Sequence, residues 1–444
     1  MSTRTREHFM KLRRVRRGAG LLAAAIAVTL AGCSVESKDG PETTAPTSNA
    51  YPAPPAPAIS PGVTDNTIKI GFVYPDLAGV KQYIHVDHGD YAATFTALAD
   101  KINAAGGING RKIIPVFGGV NVLSAAGATE TCVRLTQDEK VFAVLGTLNA
   151  DDSLCYVQTH KTALVGGDLT TARYAKAQAP WFSTLRGGDE VADGIAAFGA
   201  GGALDGKKVA VVSNQLEQQT ARDIVLPALD RLGVTPVENA TVEIDAADQA
   251  ASNQRINVVI QKFQAVGADT VIVVGGLAGN FPGLLADTTY RPKLLFTSNN
   301  SATAFVRSDD NAGKLGALPG STGIGLVTDY NEKSFLDCTR TVAAAIPETA
   351  GKFQAPADVQ SGQPTYAVSA SVACSTLSLF QAIAEKAGRD LTYATFQKAG
   401  FSLGSFRVPA SLDPATFGPQ TPHGAIKPHL YTYDTSSKNF VVKD

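Results

Sequence analysis

Few stretches of this 444-residue chain combine residue types at a spacing that chemistry needs. The densest is His85-x-Asp87-His88. Two imidazoles three apart could share a metal ion, but no third strong ligand follows nearby. A solvated, polar entry to the next helix is the plainer reading, with contact to a solute left open. The adjacent carboxylates Asp151-Asp152 could do acid–base work only if they converged, and neighbours in an extended loop point apart. Gly201-x4-Gly206-Lys207-Lys208 comes close to a phosphate-binding loop. It lacks the metal-binding hydroxyl and precedes its strand, so its amides would face the wrong way. No G-x-S-x-G string joins a strand to a following helix, and there is no H-E-x-x-H. The chain therefore reads as a non-enzyme with no cofactor and no metal.

Five cysteines is an odd number for an exported protein. Cys33 has a role of its own, described next, which leaves Cys132, Cys155, Cys338 and Cys374. Neighbourhood in the chain favours the pairs Cys132–Cys155 and Cys338–Cys374, although three connectivities are formally open. Each bridge would be worth roughly 3 kcal/mol by loop entropy. Zinc is the rival use of four thiols, and the absence of a C-x2-C pair argues against it.

Cys33 closes the string RRVRRGAGLLAAAIAVTLAGC. A basic run (Arg13, Arg14, Arg16, Arg17) leads into an apolar core about half as long as a membrane-spanning helix requires. Leu30-Ala31-Gly32-Cys33 looks like a bacterial lipobox, in which the Cys is lipidated and the preceding leader removed. Residues 1–32 are thus read as a lipoprotein signal peptide and 33–65 as a lipid-anchored spacer rich in Pro, Ala and Thr. Such a composition cannot bury enough apolar surface to offset its chain entropy. The expected location is outside the cytoplasm, on the membrane by acyl chains.

About 380 residues remain, too many for one core and enough for two domains. A net charge of −1 gives no general attraction to nucleic acid. From Thr67 onward, β-branched runs (TIKIGFVYP, KIIPVFG, VFAVLG, TALVGG) alternate with amphipathic stretches, and after Gly187-Gly188 the series restarts (KKVAVVSN, DTVIVVGG, KLLFTSN). Strands alternating with helices imply βαβ units and parallel sheets, here in two similar lobes. Trp181 and Phe182, just before the break, read as core. Two cysteine-bearing helices and a closing hairpin (HLYTYDTSSKNFVVKD) come late and are expected to return to the earlier sheets. In open parallel sheets small molecules bind beyond the carboxyl ends of the strands. The segments there are polar and small, which makes Tyr74, Asp76, Thr147, Asn149, Asp152, Ser153, Asp168, Thr170, Asn214, Gln218, Asn299 and Asn300 candidate ligand contacts.

Asn103-Ala-Ala-Gly-Gly-Ile-Asn-Gly-Arg-Lys-Ile113 supplies a left-handed helix stop and a tight turn into the next strand. Behind a lipobox, a first strand and a first helix, it resembles the leucine/isoleucine/valine-binding type of extracytoplasmic solute-binding protein. The string VFAVLG with its polar loop and the strand KKVAVVSN fit the same family. The resemblance implies an α/β fold of two Rossmann-like lobes with parallel-rich sheets joined by three crossovers, the type I periplasmic binding protein fold. Lobe I would comprise 66–187 plus 330–422, and lobe II 188–329 plus 423–444. It implies a monomer that captures a small polar solute, of amino-acid, amide or carboxylate class, by hinge closure and hands it to an ABC permease. A sensory module reporting to a membrane signalling partner is the alternative, and an exported hydrolase on a borrowed fold a third.

Members that bind amino acids hold the carboxylate after the third and fourth strands, here Asn149 to Ser153, Asp168 and Thr170. They hold the ammonium with an acid after the strand that is KLLFTS here, and stack a Tyr after the strand that is VAVVS. Asn299-Asn300 and Gln218 stand at those places. An amide cannot offset a desolvated ammonium as a carboxylate does, so the expected solute is neutral, amide-bearing or a carboxylate. The family's disulfide in its first lobe is resembled by Cys132 and Cys155.

Overall fold

The computed structural model describes residues 51–79, 87–124, 126–148, 151–185, 187–245, 248–359 and 363–442. Cys33, Asn149 and His85 lie outside the described residues. Thr67–Asp76 (β1), Lys112–Asn121 (β2), Ala143–Gly146 (β3), Ala163–Gly166 (β4) and Trp181–Phe182 (β5) form one parallel sheet in the order β2-β1-β3-β4-β5. A second sheet uses Val209–Asn214 (β6), Glu238–Val242 (β7), Thr270–Val273 (β8), Lys293–Phe296 (β9), Thr322–Gly325 (β10), His429–Asp434 (β14) and Asn439–Val442 (β15). Its order is β15-β14-β10-β9-β8-β6-β7, parallel from β7 to β10 and antiparallel at β10, β14 and β15. The late hairpin thus completes the second sheet, as the sequence suggests. Each sheet reverses its strand order once, between β1 and β3 and between β6 and β8, and such switch points are where open α/β sheets receive ligands.

The short strands β3, β4 and β8 are buried at every residue, which is why they read as continuous apolar runs. Helices cover both faces of the first sheet. Tyr91–Ala104 (α1), Lys333–Ala345 (α2) and Tyr366–Ala387 (α3) pack against one core cluster that holds Phe72, Phe95, Phe335 and Phe380. Helix α3 is long and apolar enough to cross a membrane by length and composition. Here its apolar face, Ala370, Leu377 and Ile383 among it, is core. Trp181 is fully buried and its indole donates to Gly166 O (2.8 Å).

The Asn103–Ile113 string owes its pattern to docking. Asn103 donates to Ile113 O (2.9 Å) and accepts from Ile113 N (2.7 Å), so one side chain ties the end of α1 to β2. Gly107 has φ +73°, and a Cβ there would lie 2.1 Å from Arg111 O. Only glycine fits that turn. Asn109 then donates to Ala384 O at the end of α3 (3.0 Å).

The sequence leaves two features unread. Gly404–Phe406 (β11), Ala415–Gly418 (β12) and Thr421–Ala425 (β13) make a small antiparallel sheet, and Tyr393–Phe401 (α4) packs on β12 and β13. The last residues of the Pro-rich spacer, from Tyr51, also pack on the folded body. Tyr51 is 4% exposed in a core cluster with Tyr174 and Trp181. Its hydroxyl donates to Asp189 (2.7 Å), and Gln397 donates to Pro54 O (2.8 Å). An aromatic ring with a hydroxyl handle carries enough apolar area to dock a chain that its neighbours alone would leave free.

The chain passes from the first sheet to the second after β5, comes back after β10 to the helices α2 and α3 that cover the first sheet, and passes to the second sheet again between β13 and β14. These are the three crossovers of the expected fold. The sulfurs of Cys132 and Cys155, and those of Cys338 and Cys374, lie within bonding distance, with Cα–Cα separations of 6.4 and 6.1 Å.

Candidate functional site

A cleft of about 560 Å³ opens where the strand ends of the two sheets meet. Asp168 and Leu185 line it from the first sheet's side. Glu217, Gly275-Gly276 and Thr297 to Ser301 line it from the second. The main-chain pairing of Asp168 with Leu185 seats it against the first crossover. Arg173 donates to Asp168 Oδ2 (2.6 Å) and to Asp151 (2.8 Å), while Asp168 Oδ1 is buried without a hydrogen-bond partner among the described residues. Burial pushes the Asp168 carboxyl above its ordinary range, Arg173 opposes this and Asp189 adds to it.

On the far wall, Asn299–Arg307 (α5) starts at the cleft, with Ser298 as N-cap accepting from Ser301 N. Asn299 is 7% exposed and its Oδ1 has no partner among the described residues. It sits over Gly323, where a Cβ would lie 3.0 Å from Asn299 Oδ1. Asn300 is exposed on the rim. Glu217 is held by its own backbone, whose N–H donates to Asn214 Oδ1 (2.9 Å). Its carboxylate lies over Gly275, which has φ +58° and whose Cβ would meet Glu217 Oε1 at 2.5 Å. A glycine is therefore required both by the turn and by the acid above it. Thr297 accepts from Gly275 N (3.0 Å) and fixes the same loop.

Of the residues proposed from sequence, the cleft brings together Asp168, Asn299 and Asn300. Thr147 lines a neighbouring chamber of about 230 Å³. Tyr74 and Asp76 line a separate cavity of about 450 Å³ at the end of β1, where Tyr74 stacks on Tyr91 with ring centroids 5.4 Å apart. There His88 shares a 2.9 Å hydrogen bond with the Tyr91 hydroxyl, and burial lowers its pKa against the pull of Asp87. Thr170 caps the turn Thr171–Tyr174 and accepts from Arg173 N. Asp152 opens a short helix in which Ser153 is fully buried beneath Gly167. Asn214 positions Glu217, and Gln218 points to solvent beside Glu217 and Thr220, which do line the cleft. Sequence reading missed Glu190 and Glu217. Glu217 lay one residue from a named candidate, and only the turn after β6 decides which of the two faces inward.

Two α/β lobes with a polar cleft at their strand ends and three crossovers behind it define a two-lobed binding protein. The periplasmic binding protein family matches residues 67–410, and the chain belongs to it. The fold is that of a type 1 periplasmic binding protein from Bordetella pertussis Tohama I (17% identity, TM-score 0.59, covering 85% of this chain and 100% of that one). It is likewise similar to the branched-chain amino acid transporter substrate-binding protein LivJ of Streptococcus pneumoniae in complex with isoleucine (16%, 0.54, 85% and 100%). A third similar structure is a fatty acid ABC transporter substrate-binding protein from Thermomonospora curvata (16%, 0.53, 87% and 93%). No protein of curated function matches the chain.

Proposed function

We propose that the chain is the solute-binding subunit of an ABC importer, lipid-anchored through Cys33 on the extracytoplasmic face and acting as a monomer without enzymatic activity. Lobes 66–187 plus 330–422 and 188–329 plus 423–444 close on a small solute through Asp168, Asn299 and Asn300, and the closed state engages the permease. Cys132–Cys155 and Cys338–Cys374 are disulfides in this setting, as an oxidising compartment favours. The observation that carries the reading is the convergence of Asp168 from one lobe and Asn299 from the other on one cleft, each with a buried oxygen that is unpaired among the described residues. Such an acceptor costs about 1–3 kcal/mol until a donor reaches it, and a solute bridging the lobes can supply one.

The charge of the walls refines the solute. Asp168, Glu190 and Glu217 line the cleft, and among the described residues no Lys, Arg or His does. Donor-bearing heads, amines, amides or hydroxyls, therefore suit it better than a bare carboxylate. A thermal-shift panel of such solutes tests the reading. A ligand at 100 times its Kd adds about 2.7 kcal/mol to the folded state. Asn300→Ala and Asp168→Asn should each abolish most of that shift while leaving melting without solute within about 0.5 kcal/mol for the exposed Asn300. Silence across amines, amides, polyols and carboxylates would overturn it.

A further inference from the structure

The 230 Å³ chamber and the 560 Å³ cleft meet at Leu185, Leu326 and Thr328, which line both. The chamber lies under the first two crossovers. Its wall is completed by Val408 to Ser411, a segment braced against the second crossover by Asp329 N donating to Ala410 O (3.0 Å). Val165, Leu326, Val372, Leu379, Val408 and Ile426 give it an apolar lining.

Five of the nine hydroxyl-bearing residues that line it, all but Thr147, Thr184, Thr328 and Tyr330, are already engaged. Ser183 donates to Gly167 O (2.6 Å), Ser371 to Val368 O (3.0 Å), Ser375 to Ser371 O (2.7 Å), Thr376 to Val372 O (2.8 Å) and Ser411 to Asp413 O (2.9 Å). Hydrocarbon can enter such a space without leaving these donors unpaired. The cleft has the opposite character, with three carboxylates, of which Asp168 is paired with Arg173, and the nine-tenths-buried Asn299 oxygen, which has no partner among the described residues. Among the described residues neither lining contains a Lys, Arg or His.

We propose that the solute is an amphiphilic amine: its protonated head sits among Asp168, Glu217 and Asn299, and its apolar tail passes Leu185 and Leu326 into the chamber. The proposal rests on the cleft being a solute site and names the class of solute. Filling 230 Å³ takes roughly seven or eight methylene-sized groups at about 30 Å³ each. Each buried methylene should tighten binding about fourfold until the chamber is full.

The test is calorimetric titration of the full chain with straight-chain primary amines from butylamine to dodecylamine, kept monomeric, with carboxylates of matching length beside them. Affinity should rise about fourfold per carbon, then level off near octylamine, with octanoate far weaker. Val372→Phe should end the rise several carbons earlier, and Val372→Ala, which only removes volume, should extend it. A length-independent affinity, or identical plateaus in wild type, Val372→Phe and Val372→Ala, would overturn the chamber while leaving solute capture standing. Octanoate binding more tightly than octylamine would overturn the amine head. No binding by any amine would overturn the proposal whole, and the wider solute panel above then decides separately whether the cleft binds solute at all.

Discussion

Replacing Tyr51 by Phe removes one hydroxyl from the Pro-rich segment that precedes β1. That hydroxyl donates to Asp189 Oδ2 at 2.7 Å, and the same oxygen accepts from Thr171 N and Thr171 Oγ1, both at 2.7 Å. A hydrogen bond to a carboxylate is worth about 1.5–3 kcal/mol. Two donors remain on Asp189, so Phe should cost about 1.5 kcal/mol, the low end. The ring contacts survive, edge-on to Tyr174 at 5.5 Å and tilted on His423 at 4.7 Å. Ala removes them too, and truncating a buried aromatic costs about 3–5 kcal/mol. The assay is urea unfolding followed by the fluorescence of Trp181, the chain's one tryptophan. It shares a core cluster with Tyr51 and lies 6.3 Å from the Tyr174 ring. Phe and Ala variants both within about 0.5 kcal/mol of wild type would refute the docking of this segment.

Three further outcomes follow from named contacts. If both cysteine pairs are oxidised, the unfolded chain loses loops with separations of 23 and 36 residues, worth about 3.4 and 3.8 kcal/mol by the chain-entropy model; mass measurement after alkylation without reductant should find those thiols blocked, and reduction should lower the urea midpoint. Burial alone would raise the Glu332 carboxyl, but Ser334 Oγ, the Ser334 and Phe335 amides and Arg407 hold it at about 2 against an ordinary 4.5. Its depressed value means that its stabilisation is complete above pH 4.5 and is lost as pH falls toward 2, at most about 3 kcal/mol; Glu332→Gln should remove that part of the acid limb, and an unchanged limb would contradict the assignment. Gly323→Ala puts a Cβ 3.0 Å from Asn299 Oδ1 and 3.2 Å from its Cα, so it should weaken solute binding at least tenfold through Asn299, measured by titration, whereas an unchanged Kd would show that Asn299 need not keep its position.

The framework was legible because burial on both faces leaves β-branched runs, and these mark β1, β3, β4, β6, β8 and β9 in the sequence. Asn103 to Ile113 was legible for the same kind of reason, since its glycines answer to positive φ. The sheet β11-β12-β13 was not: its strands span three to five residues and carry Gly, Pro and Thr, which in sequence resemble loops. Tyr51 was invisible because its docking depends on Asp189, Tyr174 and His423, distant in the chain. For the site, strand-end position pointed to Asp168, Asn299 and Asn300. It could not separate residues that reach the cleft from those that hold the loops, such as Thr170 and Asn214, because both tasks select small polar side chains at strand ends. The rotation that turns Glu217 inward and Gln218 outward belongs to the turn after β6 and has no signature in composition.

The central claim is that a solute draws the two lobes together. The direct measurement is the distance between spin labels at the exposed Ala172 and Gln219, on opposite sides of the cleft, with and without an amine that raises the melting temperature. The account predicts that the solute shifts the distribution toward a shorter distance, and that Asn300→Ala restores the longer one at the same solute concentration. A clear thermal shift with an unchanged distribution would contradict closure between the lobes as the mode of capture.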